Sequence, residues 1–491
     1  MLVKGLIGAE ARLPNDVADA IVERCDGIPL FLEELTKVIL EEAANATGGP
    51  VSVPPTLHTS LLARLERLGP DAKEVAQIGA AIGRQFSFEL LAASAAQNRP
   101  KLEAATVALV EAGLVFQRGA IQQAGFLFKH ALVQEAAYGN LLRAQRQLLH
   151  GRIADALLAA GGEDAAAAPE IIAHHLERGG RSLEAVSYWR QAGERAVRRA
   201  ANREAIEHFR HALSLLEARP ETNERWHVEL PILSQLGPAL MSVYGWSAPE
   251  AEEIVERGAR IARRLQSSEN LAPSIANLAV FNIYRGRLDQ VEEASDDLFR
   301  IARELDDPDV MLQAHHCIWP VRWHRGQLAL ALEHADEALV LYDEERHASH
   351  RHLYFGHDPA VCALALGAAA QCLLGHPARA MHRHGEAITL ARRMRDPPSL
   401  AHSMFLSCTS SQAPGGNAAA VFAAATELRE LSEQLGFSQF QACAQMFLGW
   451  ALARSGEALQ GIAQMSEGLG ILQRIGASMF MRAGCLMATP T

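Results

Sequence analysis

The sequence predicts a mainly α-helical protein with one short β-hairpin and a long array of helical repeats. Three observations lead to this fold class. Aromatic residues make up only 6% of a chain rich in alanine, a balance that favours packed helices over sheets. A single pair of strand-like runs occurs, near residues 114–128. Glycine turns then recur at long intervals from about residue 286 onward.

Composition limits the class of protein. The chain has 491 residues, 49% of them apolar and 21% charged, enough for two or three domains with a substantial core. The net charge of −11 argues against a nucleic-acid-binding surface and against attraction to an anionic membrane. No apolar run reaches the ~20 residues that span a bilayer. The seven cysteines are scattered, so we expect free thiols and a cytoplasmic protein.

Residues 1–45 are predicted to be a helical segment, with two helices over 14–43 that are broken at Gly27-Ile28-Pro29. Apolar residues share one face of each helix. Small residues and a proline pair follow at residues 45–55, which we interpret as a linker.

Residues 51–160 have the order of a winged-helix domain, with helices followed by a hairpin. Helices are expected at about 71–82, 87–95 and 100–112, and strands at 114–117 and 126–128. Winged helices often bind DNA, but the third of these helices has Lys101 against Glu103 and Glu111. Such a surface would repel phosphates, so we expect no nucleic-acid partner.

Residues 169–491 are predicted to form a superhelix of tetratricopeptide-like repeats. The turns at Gly286 and Gly326 are 40 residues apart, the step to Gly375 is 49, and Gly456 follows after 81, close to two periods. Small or apolar residues recur 5, 12 and 16 positions after each turn: Val291, Ala331, Ala380, Gly461, Leu298, Ala338, Ala387, Gly468, Ala302, Tyr342, Ala391 and Leu472. This pattern permits close packing of helices, and one loop must be longer than the others.

Five segments carry a family resemblance. They are residues 27–35, 61–65, 128–138, 188–196 and 354–359. Together they resemble bacterial signal-transduction ATPases of the STAND or AAA type with tetratricopeptide repeats, which are often fused to an adenylate or guanylate cyclase domain. The resemblance covers most of the chain and fades after Gly476. It implies a chain order of ATPase, helical lid, winged helix and repeats, so residues 1–45 would be a remnant of the lid.

The resemblance also implies nucleotide-facing residues. Gly27 and Pro29 match a turn that contacts the nucleotide base, although a simple helix break explains the same pattern. Lys129 and His130 match the winged-helix position that contacts the ADP phosphate. The sequence has no Gly-x-x-x-x-Gly-Lys-Ser/Thr loop. We therefore expect no catalysis and no cofactor in this chain, with ATP or ADP bound only if a P-loop domain is supplied, for example in trans. The chain could be a truncated reading frame.

Histidines and tryptophans are the other candidate site residues. His347, His350, His352 and His357 fit no common zinc spacing, so we expect a solvated loop and no metal site. The pairs His174-His175 and His315-His316 lie within predicted helices, where adjacent side chains point apart. Trp319 and Trp323, one helical turn apart, could anchor a partner on the concave side of the repeats or simply belong to the core.

These observations predict a regulatory chain that senses a ligand. A protein or small effector would bind the repeats, and the winged helix would relay that event to an attached or separate ATPase or cyclase domain. A free-standing scaffold that binds another protein through its repeats is the alternative. An enzyme is the third class, and its required loops are absent from the sequence.

Overall fold

The computed structural model describes residue 36 and residues 57–120, 124–160, 168–265, 268–412 and 416–477. The helical segment predicted at 1–45, with Gly27 and Pro29, lies outside these residues except for Thr36, which is helical and buried. The chain divides into two compact units, Met1–Tyr188 and Trp189–Thr491.

The first unit combines helices with a small sheet. Its described elements are α1 (Leu57–Arg67), α2 (Pro70–Ile82), β1 (Gln85–Ser87), α3 (Phe88–Ser94), α4 (Arg99–Glu111), β2 (Val115–Arg118), β3 (Gly125–Phe128), α5 (Ala131–Gly139), α6 (Arg143–Ala160) and α7 (Pro169–Arg178). The predicted hairpin is confirmed, because β2 and β3 pair antiparallel with Val115 opposite Phe128. Side-chain caps start two of the helices: Ser87 accepts from the amide of Leu90, and Asn98 from that of Lys101.

A third strand in this sheet was not predicted. β1 pairs antiparallel with β3, with Phe86 opposite Phe126, which gives the order β1-β3-β2. The strand has only three residues, too few to establish an alternating pattern in the sequence. Its central residue, Phe86, is buried in an apolar core that also contains Phe126 and Phe128.

The second unit is built of helices throughout its described part. These are α8 (Ser182–Arg198, which contains the unit boundary), α9 (Asn202–Glu217), α10 (Asn223–Tyr244), α11 (Pro249–Leu265), α12 (Ser268–Arg285), α13 (Leu288–Leu305), α14 (Pro308–His324), α15 (Leu328–Leu341), α16 (His350–Leu353), α17 (Pro359–Leu373), α18 (Pro377–Met394), α19 (Pro397–Ser411), α20 (Ala418–Leu435), α21 (Ser438–Arg454) and α22 (Ala458–Arg474). An inner layer forms because α10, α12, α14, α17, α19 and α21 contact one another in turn. The mainly α fold with repeated helices is thus confirmed.

The glycine turns are the feature that the sequence predicted best. Gly286, Gly326, Gly375 and Gly456 each follow an inner helix and have φ values of 75°, 74°, 91° and 103°, a region that favours glycine. The residues five positions later are buried in all four pairs. In the last pair, a Cβ on Gly461 would clash with the carbonyl oxygen of Gly449. Glycine at both positions therefore lets α21 and α22 approach backbone to backbone.

The inner layer of the second unit closes on itself. The amide of Trp246 donates to Oε1 of Gln439 at 2.8 Å, and the hydroxyl of Ser438 donates to the carbonyl of Val243 at 3.3 Å. The hydroxyl of Ser247 reaches the carbonyl of Ile475 at 3.4 Å. Among the described residues, no helix combines the length and hydrophobicity needed to cross a membrane.

Candidate functional site

The long loop between α15 and α17, residues 342–358, has exposed residues at 343–346 and directs three of its histidines into the interior of the second unit. His347, His350 and His357 are 1%, 7% and 2% exposed, so the expectation of a solvated loop was wrong. The spacing of 49 residues between the turns at Gly326 and Gly375 reflects this insertion. The sequence did not indicate that histidines of the inserted segment would be buried. Nothing is described of the side chain of His352.

The end of the loop is fixed by backbone geometry and a buried carboxyl group. Phe355 and Gly356 have φ values of 52° and 71°, which turn the chain sharply before α17. Asp358 caps that helix by accepting from two amides, and the hydroxyl of Tyr342 donates to it at 2.9 Å. Burial raises the pKa of Asp358 above its usual range. Asn277 on α12 donates to the carbonyl of Leu353 at 3.2 Å and holds the loop from the opposite side.

A cavity lies between this loop and the inner helices. It has a free volume of about 80 Å³ and opens in part to solvent. Its walls are mainly apolar side chains of α12, α14, α17, α19 and α21, together with Tyr284, Trp323, Phe355 and several histidines. The nitrogen Nε1 of Trp323 and Nδ1 of His402 are buried and have no hydrogen-bond partner in the protein. The cavity therefore offers a mainly apolar surface, with these two nitrogens buried in residues of its wall.

Four polar side chains meet in the wall of the cavity, and we call them the histidine–cysteine cluster: His316, His357, Cys362 and His402. The Nε2 atoms of His316 and His357 are 3.2 Å apart, and Nε2 of His402 is 3.4 Å from Sγ of Cys362. The rings of His357 and His402 stack with centroids 4.4 Å apart. All four residues are at most 4% exposed.

Burial controls the charge of the cluster. Burial lowers the pKa of His357 to about 4. A hydrogen bond to the carbonyl of Phe355 raises this pKa, but by less than burial lowers it. Burial, with the neighbouring histidines, lowers the pKa values of His316 and His402 well below their ordinary value. Burial also raises the pKa of Cys362. These side chains are therefore uncharged at neutral pH.

The two predicted tryptophans occupy different environments. Trp319 is fully buried within an apolar core, so its side chain offers no surface to a partner and the anchoring role does not fit it. Trp323 is half-buried and lines the cavity. One helical turn thus separates a core residue from a residue that a ligand can reach.

Lys129 and His130 lie where the sequence placed them, between β3 and α5. His130 is the residue before the first turn of α5 and has extended backbone angles of −135° and 146°. The amide of Lys129 donates to the carbonyl of Leu114 at 3.0 Å. Both side chains are half-buried. Their role toward a nucleotide stays a prediction.

Two further histidine groups were not predicted. Asp309, His347 and His350 form one, and His315, His334 and Glu337 form another. His315 and His316 point to different partners, as expected for adjacent helical residues. The partners that complete each group come from distant parts of the chain, so no short motif reveals them.

The fold and the cavity define a helical-repeat protein with a mainly apolar internal cavity. No family model matches the chain. An uncharacterized protein of Rhizobium meliloti (strain 1021) is 28% identical over 492 residues, which cover 95% of this chain and 46% of that protein. The chain therefore spans about half the length of the curated relative it matches.

Solved structures of helical-repeat proteins are similar at low identity. One is a Signal Transduction ATPase with Numerous Domains (STAND) protein with a tetratricopeptide repeat sensor from Pyrococcus horikoshii, with 13% identity, a TM-score of 0.39, and coverage of 99% of this chain and 74% of that one. Another is the Rap conjugation gene regulator of the plasmid pLS20 in complex with the Phr* peptide, with 14% identity, a TM-score of 0.48, and coverage of 70% and 93%.

Proposed function

We propose that this chain is the non-catalytic sensor part of an ATPase–tetratricopeptide signalling protein of the cyclase-associated type. The repeats, predicted at 169–491, bind an effector, and the domain at 51–160 relays that event to a nucleotide-binding module. The observation that carries the proposal is the cavity among the inner helices. Ligand pockets in proteins are mostly apolar, with a few polar groups that fix orientation.

The lining favours a small effector with an aromatic or apolar body. Phe355 and Trp323 supply aromatic faces to the cavity. Because the loop 342–358 and several inner helices share this wall, a bound molecule would change contacts between repeats that are far apart in the sequence. Such coupling of separate elements is what a sensor requires.

We assign the relay to a winged helix at 51–160. The sheet order β1-β3-β2 with a helix before β1 and two helices after it supports this assignment. Lys129 and His130 stand at the start of α5, where helix N–H groups favour an anion. They would contact the phosphate of a nucleotide held by a P-loop domain, with residues 1–45 as its helical lid and Gly27 and Pro29 near the base.

A polarity-sensitive dye, anilinonaphthalene sulfonate, tests the cavity directly. Thr409 lines the cavity and its hydroxyl donates to the carbonyl of Phe405. Thr409→Phe fills part of the space and should lower dye affinity at least tenfold. Thr426 makes the same type of bond, to Phe422 on an outer helix, so Thr426→Phe is a matched control that should leave binding unchanged. Equal effects of both variants would contradict the cavity as the binding site.

Nucleotide titration tests the non-catalytic assignment. Purified chain should bind neither ATP nor ADP tightly by calorimetry, because no phosphate-binding glycine loop occurs in the sequence. Submicromolar binding by the chain alone would overturn the proposal that the nucleotide site belongs to another module.

A further inference from the structure

We propose that His316, His357 and Cys362 form a binding site for a transition-metal ion of the Zn²⁺ class. The three residues come from α14, the inward loop and α17, and all are buried. One ligand atom from each lies within 4.8 Å of the other two. This site is independent of the effector proposal, since it rests on the geometry of the three side chains alone.

The hydrogen bonds of the two histidines determine which ring nitrogens carry protons. Nδ1 of His357 is 3.1 Å from the carbonyl oxygen of Phe355, which can only accept, so Nδ1 carries the proton. Nδ1 of His316 is 3.3 Å from Oε1 of Gln313 and donates in the same way. The amide nitrogen of Gln313 is in turn 3.0 Å from Nδ1 of His350, to which it donates.

In the neutral rings, both Nε2 atoms consequently carry a lone pair and no proton. They face each other at 3.2 Å with no proton between them, which is a repulsive arrangement in a buried place. A cation that accepts both lone pairs removes the repulsion. The distance fits this reading, because two nitrogens bound to one tetrahedral Zn²⁺ at about 2.0–2.1 Å are roughly 3.3 Å apart.

The surroundings match those of metal-binding histidines. Such histidines usually donate their second ring nitrogen to an oxygen acceptor, which fixes the ring orientation, as His316 and His357 do. Cys362 supplies a soft thiolate once a metal has displaced its proton. His402, 3.4 Å from that sulfur, is placed to donate a hydrogen bond to the thiolate.

The ligand set points to a class of ion. Two imidazoles and one thiolate suit Zn²⁺, Co²⁺ or copper and exclude Mg²⁺ and Ca²⁺, which prefer oxygen ligands. Three protein ligands leave at least one coordination position open. The other two histidine groups are weaker candidates, because Asp309 already pairs with Arg346 at 2.6 Å and Glu337 is half exposed.

Cobalt titration of the chelator-treated full-length chain is the test. We expect one equivalent of Co²⁺ to produce a thiolate-to-cobalt charge-transfer absorption, and Zn²⁺ to displace it and raise the melting temperature. Cys362→Ser should abolish the band and weaken metal binding at least 100-fold. Cys443→Ser is the matched control, because Cys443 is also buried and lines the same cavity but lies outside the group of three.

The wild-type titration decides the proposal even if Cys362→Ser fails to fold. Absence of the band in folded wild-type protein would overturn it. In that case the Gln313 amide is reversed, and His316 donates from Nε2 to His357 without any ion. A band that persists in Cys362→Ser, or disappears in Cys443→Ser, would equally contradict the assignment.

Discussion

Burial has opposite effects on the free energy of two clusters of rings, one in each unit. In the first unit, Phe86 packs against Phe126 and Phe128 with centroids 5.5 Å apart in both pairs, and these hydrocarbon rings gain free energy by leaving water. In the second unit, the buried rings are the imidazoles of the histidine–cysteine cluster, whose burial costs free energy unless each nitrogen finds a partner. The first cluster is explained by stability alone, whereas the second is the basis of the proposed metal site.

The largest expected effect lies in the apolar cluster. Phe126→Ala should lower the stability of the small sheet by about 3–5 kcal/mol, because it removes a buried aromatic ring and leaves a cavity. Hydrogen exchange of the amides in β2 and β3 measures this loss. Phe116→Ala in the same hairpin, where the ring is 52% exposed, should change exchange little. Similar losses in both variants would contradict the role of the ring cluster.

An intermediate effect on stability is expected at the contact between α21 and α22, where the two helix backbones lie close together. Gly461→Ala should destabilise by about 1–3 kcal/mol, since the added methyl group would meet the Gly449 carbonyl. Gly385→Ala, in α18 with no atom within 4 Å of the new methyl group, should stabilise by up to about 1 kcal/mol. Urea unfolding followed by tryptophan fluorescence compares them, because all six tryptophans lie in the second unit. Effects of equal sign would show that helix proximity does not limit stability here.

The smallest effect, counted per pH unit, concerns the cost of a single buried imidazole. His384 is 1% exposed, and burial lowers its pKa to about 4. Between about pH 6.5 and 4 the unfolded chain gains a proton at this residue that the folded chain does not, so stability falls as the pH falls, by about 1.4 kcal/mol per pH unit. His384→Gln should reduce that slope. His382→Gln, at a side chain 81% exposed, should leave the slope unchanged, and an equal change in both would contradict the assignment.

The sequence predicted the parts of the fold that depend on neighbours in the chain. The turns at Gly286, Gly326, Gly375 and Gly456 follow from a left-handed backbone that glycine adopts without strain, and the hairpin follows from two apolar runs with a loop between them. β1 was missed because three residues hold too little pattern. The helical segment at 1–45 stays a prediction.

The candidate site was much less predictable, because its residues meet through long-range packing. His316 and His357 are 41 residues apart, as are the amide of Asp358 and the Ser399 hydroxyl that anchors it. Spacing along the loop suggested solvent exposure for His357, whereas the inward course of residues 342–358 depends on contacts with α10 and α12. A search for short metal motifs could not detect ligands that three separate elements contribute.

The bonds that join Val243 and Trp246 to Ser438 and Gln439 have a consequence for how the second unit comes apart. In an open solenoid, the terminal helices fray first and independently of each other. Here these bonds join α10 and the turn that follows it to α21, so the inner layer forms a closed ring. Unfolding of α21 should therefore destabilise α10, which lies almost 200 residues earlier in the chain. We expect the ring to unfold cooperatively rather than one repeat at a time.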